Sequence, residues 1–367
     1  MIPYVLLMFM PLLISSFVIQ CKCKYTINYE RKEEISKQNC ILTFFFVILF
    51  MILAFRDESI GRDLKNYKFY FEKFSTLDFR GVFQEKRDVL YVFLNWMVAR
   101  YTDDYQVFLA VVALITVLPV AVVYNKDKQH SFLKIVLFMN MSTFIMLFSG
   151  LRQAIAISMG VIAYRYVKKQ KPLLFFIFAL IAWGFHHSAF MILLFYPLYH
   201  ITFKKKHLWF VVPIIICVFI FNKQIFIMVT NFMDSDKYTS AISSTGAYTM
   251  IILFIMFAIF SYAIPDEKMM DKETLGLRNF LLLAVLLQCF SPVHTIAMRM
   301  NYYYIIFIPI LIPKIITYAK DELKEIAYFA KIILTLFFVS YYLFNTYNSC
   351  QTGISALDTY PYVPFWK

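Results

Sequence analysis

Apolar runs long enough to cross a bilayer recur from Ile2 to Asn345, with only short polar segments between them. No other feature constrains the fold as much. About 20 apolar residues in helical form span the hydrocarbon core, where a helix satisfies its own backbone N–H and C=O groups. The 367 residues are 61% hydrophobic, and the mean hydropathy is +0.65. The chain therefore reads as an all-α, polytopic membrane protein with about 12 transmembrane helices. No polar segment is long enough for a separate soluble domain, so residues 1–367 are expected to form a single integral membrane domain. The first run, Ile2–Gln20, exceeds a signal-peptide core and lacks a basic leader, so it reads as the first span. The sequence has no internal repeat of fixed period.

Charge orients the spans. A net charge of +13 would suggest nucleic acid in a soluble protein, but here Lys and Arg crowd into short loops. No nucleic-acid partner is expected. The basic clusters are Lys22 to Lys37, Lys126 with Lys128, Lys168–Lys171, Lys204–Lys206, Lys268 with Lys272, and Lys320 with Lys324. All fall on the inner side if Val89–Arg100, short and interrupted by Asn95, is a re-entrant or interfacial helix (residues 89–101) instead of a span. The expected spans are then Ile2–Gln20, Cys40–Phe55, Tyr105–Tyr124, Phe132–Phe148, Leu151–Val167, Pro172–Trp183, His187–Thr202, Leu208–Phe221, Ala247–Ile264, Gly276–Ser291, Arg299–Tyr318 and Ile326–Asn345.

That topology places residues 56–88 outside as the longest polar loop, with eight Lys or Arg against the positive-inside tendency. Beyond Gly61, Asp63, Tyr67, Tyr70, Phe71 and Phe74 recur at helical spacing, as for a helix lying on the membrane interface. Asp57, Glu58 and Asp63 read as ion-pair partners of the neighbouring arginines. The remaining ionisable residues, Arg56, Arg62, Asp63, Arg152, His186, His187, His294 and Arg299, gather at the external face.

The stretch from Ser149 to Ser188 organises them. Two apolar runs flank Lys168-Lys169-Gln170-Lys171, so a helical hairpin would hold Arg152 beside His186 and His187 at one depth. Arg152 and Arg299 each start a helix from outside, where the helix dipole disfavours a cation by about 0.3–1 kcal/mol. Free amide N–H groups with a guanidinium fork make an anion site suited to phosphate. The plain alternative is an arginine snorkelling to lipid headgroups. A histidine there serves as a general base or bonds a helix end.

Metal and nucleotide signals are weak or missing. Cys21-Lys22-Cys23 has no partner cluster, and Asp234-Ser235-Asp236 is a lone spacing in a polar loop. No phosphate-binding glycine loop occurs, so the substrate is expected to arrive through the membrane on a lipid.

Phe55-Arg56, Ile60-Gly61-Arg62-Asp63 with Tyr67, Leu151-Arg152-Gln153-Ala154-Ile155-Ala156, His186-His187-Ser188-Ala189, Arg299 ahead of Tyr303, and Pro361-Tyr362 together resemble the EpsG-like family of bacterial polysaccharide polymerases, a group that includes Wzy-type O-antigen polymerases. Arg62 departs from the family's acidic or threonine-like residue after Ile-Gly, and His186 fits its H-x-S-A pattern. The resemblance implies a glycosyltransferase of the bacterial cytoplasmic (inner) membrane, multi-pass, with its site facing the periplasm or exterior. It would transfer a glycan from undecaprenyl diphosphate to a second lipid-linked repeat unit. The implied catalytic residues are His186, Arg152, Arg299 and Asp63. Arg56, Arg62, Tyr67, His187, His294 and Tyr303 would bind the diphosphate or glycan. No metal or other cofactor is implied, since arginines stabilise the leaving diphosphate. The implied partners are lipid-linked oligosaccharide, the bilayer and a polysaccharide chain-length regulator. A flippase for the same lipid, a membrane O-acyltransferase and a scaffold of the assembly complex are the competing readings.

Overall fold

The computed structural model describes residues 1–23, 30–85, 88–126, 129–232 and 248–367, with only the helical backbone given for 18–23, 30–39 and 232. The Cys21 and Cys23 side chains and Asp234–Asp236 lie outside the described residues. The described chain is all-helical, with two isolated β-bridges, Arg56 with Pro364 and Pro265 with Ala319. It divides into two compact units, residues 1–192 with 332–367, and residues 193–331.

The first unit contains α1 (Ile2–Cys23), α2 (Glu30–Ala54), α3 (Leu64–Ser75), α4 (Phe79–Gln84), α5 (Val89–Ala99), α6 (Tyr105–Tyr124), α7 (Ser131–Asn140), α8 (Ser142–Ser149), α9 (Leu151–Lys168) and α10 (Pro172–Phe185). By length and composition, α6 and the helix over Asp321–Thr352 are long and apolar enough to cross a membrane. Among the described residues, three bent helix pairs raise that number to as many as five if each pair is one span. Among the described residues, apolar helical stretches of 10–17 residues include α5, α10, Thr249–Ala263 and the parts of α1 and α2 over Ile2–Phe17 and Cys40–Ala54. The expected span over Phe132–Phe148 is one of the bent pairs, α7 and α8, which meet at 63°. There Asn140 turns its amide back onto Val136 O (2.8 Å) and across to Phe338 O (3.1 Å). A side-chain amide that competes for backbone carbonyls is a local cause of such a break. At 11 residues α5 is about 16 Å long, shorter than the about 30 Å of a hydrocarbon core.

The loop after α2 folds as the amphipathic α3 followed by two short helices. Leu64, Tyr67, Phe71 and Phe74 form the buried stripe of α3, while Tyr70 lies at its half-exposed edge. Leu64, Tyr67 and Phe71 of that stripe pack with Tyr91, Leu94 and Val98 of α5, Phe108 and Val112 of α6, and Leu151 and Ile155 of α9 in one apolar cluster, while Phe74 packs with Val82 of α4 and Val92 of α5. Two glycines set the close approaches. Gly61 has φ +118°, and a Cβ there would lie 2.1 Å from the Phe148 carbonyl oxygen, so only glycine lets this loop seat against the end of α8. Gly184 meets Leu90 so closely that an added Cβ would be 2.7 Å from Leu90 Cδ1, which brings the start of α5 onto the end of α10.

The tail after Thr352 returns to the loop following α2. Backbone N–H groups of Asp57, Gly61 and Arg62 donate to Val363 O, Asp358 O and Leu357 O, each at 2.9 Å. The Tyr4 hydroxyl donates to Thr359 O and the Tyr362 hydroxyl to Ile52 O.

The second unit contains α11 (Phe195–His200), α12 (Leu208–Ile220), α13 (Asn222–Phe232), α14 (Thr249–Ala263), α15 (Lys272–Gln288), α16 (Thr295–Ile305) and α17 (Ile308–Thr317), and the long α18 (Lys324–Thr352) begins in it. The run His187–Thr202, read as one span, is a 3-10 helix over His187–Leu194 followed by α11. The run Arg299–Tyr318 is likewise divided, into α16 and α17 at 48°, with Pro309 removing an amide at the start of α17. The core of this unit is aromatic, with Phe195, Phe280, Tyr304 and Phe307 in mutual ring contact.

Candidate active site

At one end of the α9–α10 hairpin, side chains from the start of α9 and the end of α10 meet on a carboxylate from a third segment. α9 starts directly after Gly150, which puts Arg152 in its first turn. Its Nη1 lies 2.7 Å from Oδ2 of Asp88. α10 ends at Phe185, and His186 caps it in extended conformation, with its N–H donated to Ala182 O at 3.0 Å. Nδ1 of His186 is 3.5 Å from the same Oδ2, and Nε2 of His187 is 3.3 Å from Asp88 Oδ1. The side chains of His186 and Arg152 are 22% and 26% exposed, that of His187 72% and that of Asp88 only 2%.

Asp88 stands at the N-cap of α5 but makes no capping bond with its side chain. An aspartate in that position ordinarily accepts from the free amides of the first turn. Here the carboxylate serves the arginine and the histidines instead. Burial pushes its pKa up, but the close approach of His186 and the Arg152 charge outweigh burial and hold it below the usual carboxylate value. It is therefore ionised at neutral pH.

Two further segments close the cluster. The Tyr67 side chain of α3, 8% exposed, is hydrogen-bonded to the Arg152 side chain and rests against Tyr91 with ring centroids 5.5 Å apart. Asp63, ahead of α3, receives a hydrogen bond from Ser149 Oγ at 3.2 Å and donates its own N–H to that oxygen at 3.3 Å. Ser149 is the last residue of α8, so Asp63 is tied to the segment from which Arg152 emerges.

The structure thus brings together Asp63, Tyr67, Arg152, His186 and His187. Arg62 is turned away and pairs with Asp358 at 3.3 Å, with both side chains more than half exposed. Arg56 is 2% exposed, sits 5.6 Å from the centroid of the Phe148 ring and leaves Nε without a hydrogen-bond partner. Burial lowers its pKa to about 10, so it keeps its charge at neutral pH.

His294, Arg299 and Tyr303 belong to the second unit. His294 caps α16 by accepting from Ile296 N at 3.0 Å, and its ring stacks on Phe226 at 5.5 Å. Burial and the nearby Arg299 charge lower its pKa. α16 begins at Thr295, so Arg299 is exposed one turn further in than the expected helix start, and Tyr303 is 1% exposed. Among the described residues no three His, Cys, Asp or Glu side chains form a metal-holding group.

Asp88 is the residue that sequence reasoning missed, in which it served only as the end of the polar loop over residues 56–88. Its signal was its place at the entry of an apolar helix too short to span, where an ionisable group needs a partner.

The arrangement offers an anion site and a base that meet on one carboxylate. The guanidinium and the free amides at the start of α9 suit phosphate oxygens. The imidazole of His186 turns Nδ1 to the carboxylate, leaving Nε2 as the nitrogen that Asp88 does not touch. No curated protein and no solved structure matches the chain. The model of the EpsG family matches residues 39–363, most of the length, and the chain belongs to the EpsG family.

Proposed function

We propose that this protein is a bacterial polysaccharide polymerase of the O-antigen type, acting at the outer face of the cytoplasmic membrane on undecaprenyl-diphosphate-linked glycans. Family membership implies a membrane glycosyl-transferring polymerase. The observation that carries the finer reading is the meeting of Arg152 and His186 on one buried carboxylate, 2.7 and 3.5 Å from the same oxygen.

In the proposed reaction, a sugar hydroxyl of one lipid-linked unit attacks the anomeric carbon of another. A new C–O bond forms, and the bond to diphosphate breaks with its electron pair on the leaving oxygen. Arg152 and the amides at the start of α9 stabilise that diphosphate, as donors fixed where negative charge develops. His186 takes the hydroxyl proton. The Tyr67 hydroxyl interacts with the same guanidinium. In its own unit Arg299, exposed beside His294, is proposed to take a lipid phosphate. Because arginines supply the positive charge, transfer is expected to continue in the presence of a chelator.

The test is Arg152→Ala in the parent strain, with surface polysaccharide run on a gel and protein level checked by blot. The expected result is loss of the long-chain ladder with single repeat units retained. Loss of single-repeat products as well would favour the flippase. An unchanged ladder would remove Arg152 from the site.

A further inference from the structure

We infer that Asp88 is a positioning residue for this transfer: it holds His186 as the Nδ1–H tautomer, so that Nε2 accepts the proton, and it fixes the Arg152 guanidinium beside it. The inference rests on the reading that Arg152 and His186 carry the reaction.

Four observations support it. Asp88 is almost fully buried, and a carboxylate is tolerated there only when paired. One cation would suffice for pairing, yet Arg152, His186 and His187 all approach it, two of them on the same oxygen. Its side chain leaves the N-terminus of α5 uncapped to do so. And the approach of α5 to α10 is tight at Leu90 and Gly184, two residues from each partner.

The chemistry follows from which nitrogen faces the acid. A carboxylate on Nδ1 fixes the proton there and leaves Nε2 basic, the logic of an acid–histidine pair that activates a nucleophile. As the sugar O–H bond breaks, the proton moves to Nε2, and Asp88 remains ionised and stabilises the imidazolium. His187 reaches Asp88 through Nε2 instead, so its free nitrogen is the other one. The groups facing this cluster are Asp88 ahead of α5, Arg152 on α9, Tyr67 on α3, Tyr91 on α5 and His187 on its own segment.

The experiment measures transfer between lipid-linked repeat units by the full-length protein in native membranes, as a function of pH. For Asp88→Asn the rate is expected to fall about 100-fold, as when a histidine loses its orienting acid. Its acidic limb should also move about one pH unit lower, because the protonated imidazole has lost a close opposite charge. Asp88→Glu, which keeps the charge, should retain the limb near its original position with a smaller loss of rate. An unchanged rate, or a loss with an unmoved limb, overturns the inference and leaves Asp88 as packing.

A second measurement reads the wild-type protein and needs no Asp88 variant. In wild-type protein labelled with 15N-histidine and assigned against His186→Gln, neutral His186 should carry its proton on Nδ1; a proton on Nε2 overturns the inference. If the wild type makes no polymer in the transfer assay, the proposed function fails, and the tautomer still judges Asp88 separately.

Discussion

Gly61 illustrates how much of the site depends on one backbone position. It sits at φ +118° with the Phe148 carbonyl where a side chain would be. Its neighbour Asp63 is held to Ser149, three residues before Arg152. Gly61→Ala should therefore cost at least about 1–3 kcal/mol from the backbone conformation alone. A lowered melting temperature in detergent would show this, together with reduced polymer length; an unaltered melting point would mean that the loop is seated otherwise. Asp88 shows the electrostatic side of the same scale. Its folded pKa is depressed, so its contribution to stability is present above the unfolded value and lost as pH falls through the folded one. That window lies below the ordinary carboxylate range, so any pH effect between 5 and 8 has another origin. Sequence reading reached Arg152 and His186 because ionisable groups flanking apolar runs are conspicuous. It did not reach their shared partner, because the place of Asp88 at the entry of a short apolar helix does not reveal that its carboxylate leaves its cap for a residue 64 positions away.

At the scale of elements, the hairpin was legible and the helix that completes it was only half so. Lys168–Lys171 separates two apolar runs, which suffices to predict α9, α10 and the shared end that carries Arg152 and His186. That α5 is a short helix was also readable from its length, but its seat against α10 depends on the fit of Leu90 to Gly184, a matter of shape. Gly184→Ala should wedge the two helices apart and slow transfer with little change in protein level. Adding Leu90→Ala should restore most of the rate, since the clash is with that side chain. Failure of the second change to rescue the first would show that this contact does not set the site. The broken spans were hidden for related reasons. Asn140 and Pro309 act by disturbing backbone hydrogen bonds inside stretches whose hydropathy is uninterrupted. The docking of the tail was equally silent, because most of its bonds are made by backbone amides and carbonyls that carry no residue signature.

For the whole molecule, the account depends on sidedness: the Lys168–Lys171 loop inside, His186 and Arg152 outside. With the native cysteines replaced, Gln170→Cys should react with an impermeant thiol reagent only after the membrane is opened. Ser188→Cys should react in intact cells. Labelling of both from the same side would refute the topology. Charge in the loops is what predicts this orientation, and the family match over residues 39–363 implies a polymerase that works in a membrane. The central claim is that this chain alone joins lipid-linked repeat units. The direct measurement gives the purified protein in lipid nanodiscs only undecaprenyl-diphosphate-linked repeats, with a chelator present, and follows both glycan length and released undecaprenyl diphosphate. The account predicts longer lipid-linked glycans, with one undecaprenyl diphosphate released per linkage formed, and loss of both on His186→Ala. Repeats that stay single with the wild-type protein, or growth that persists without His186, would contradict it.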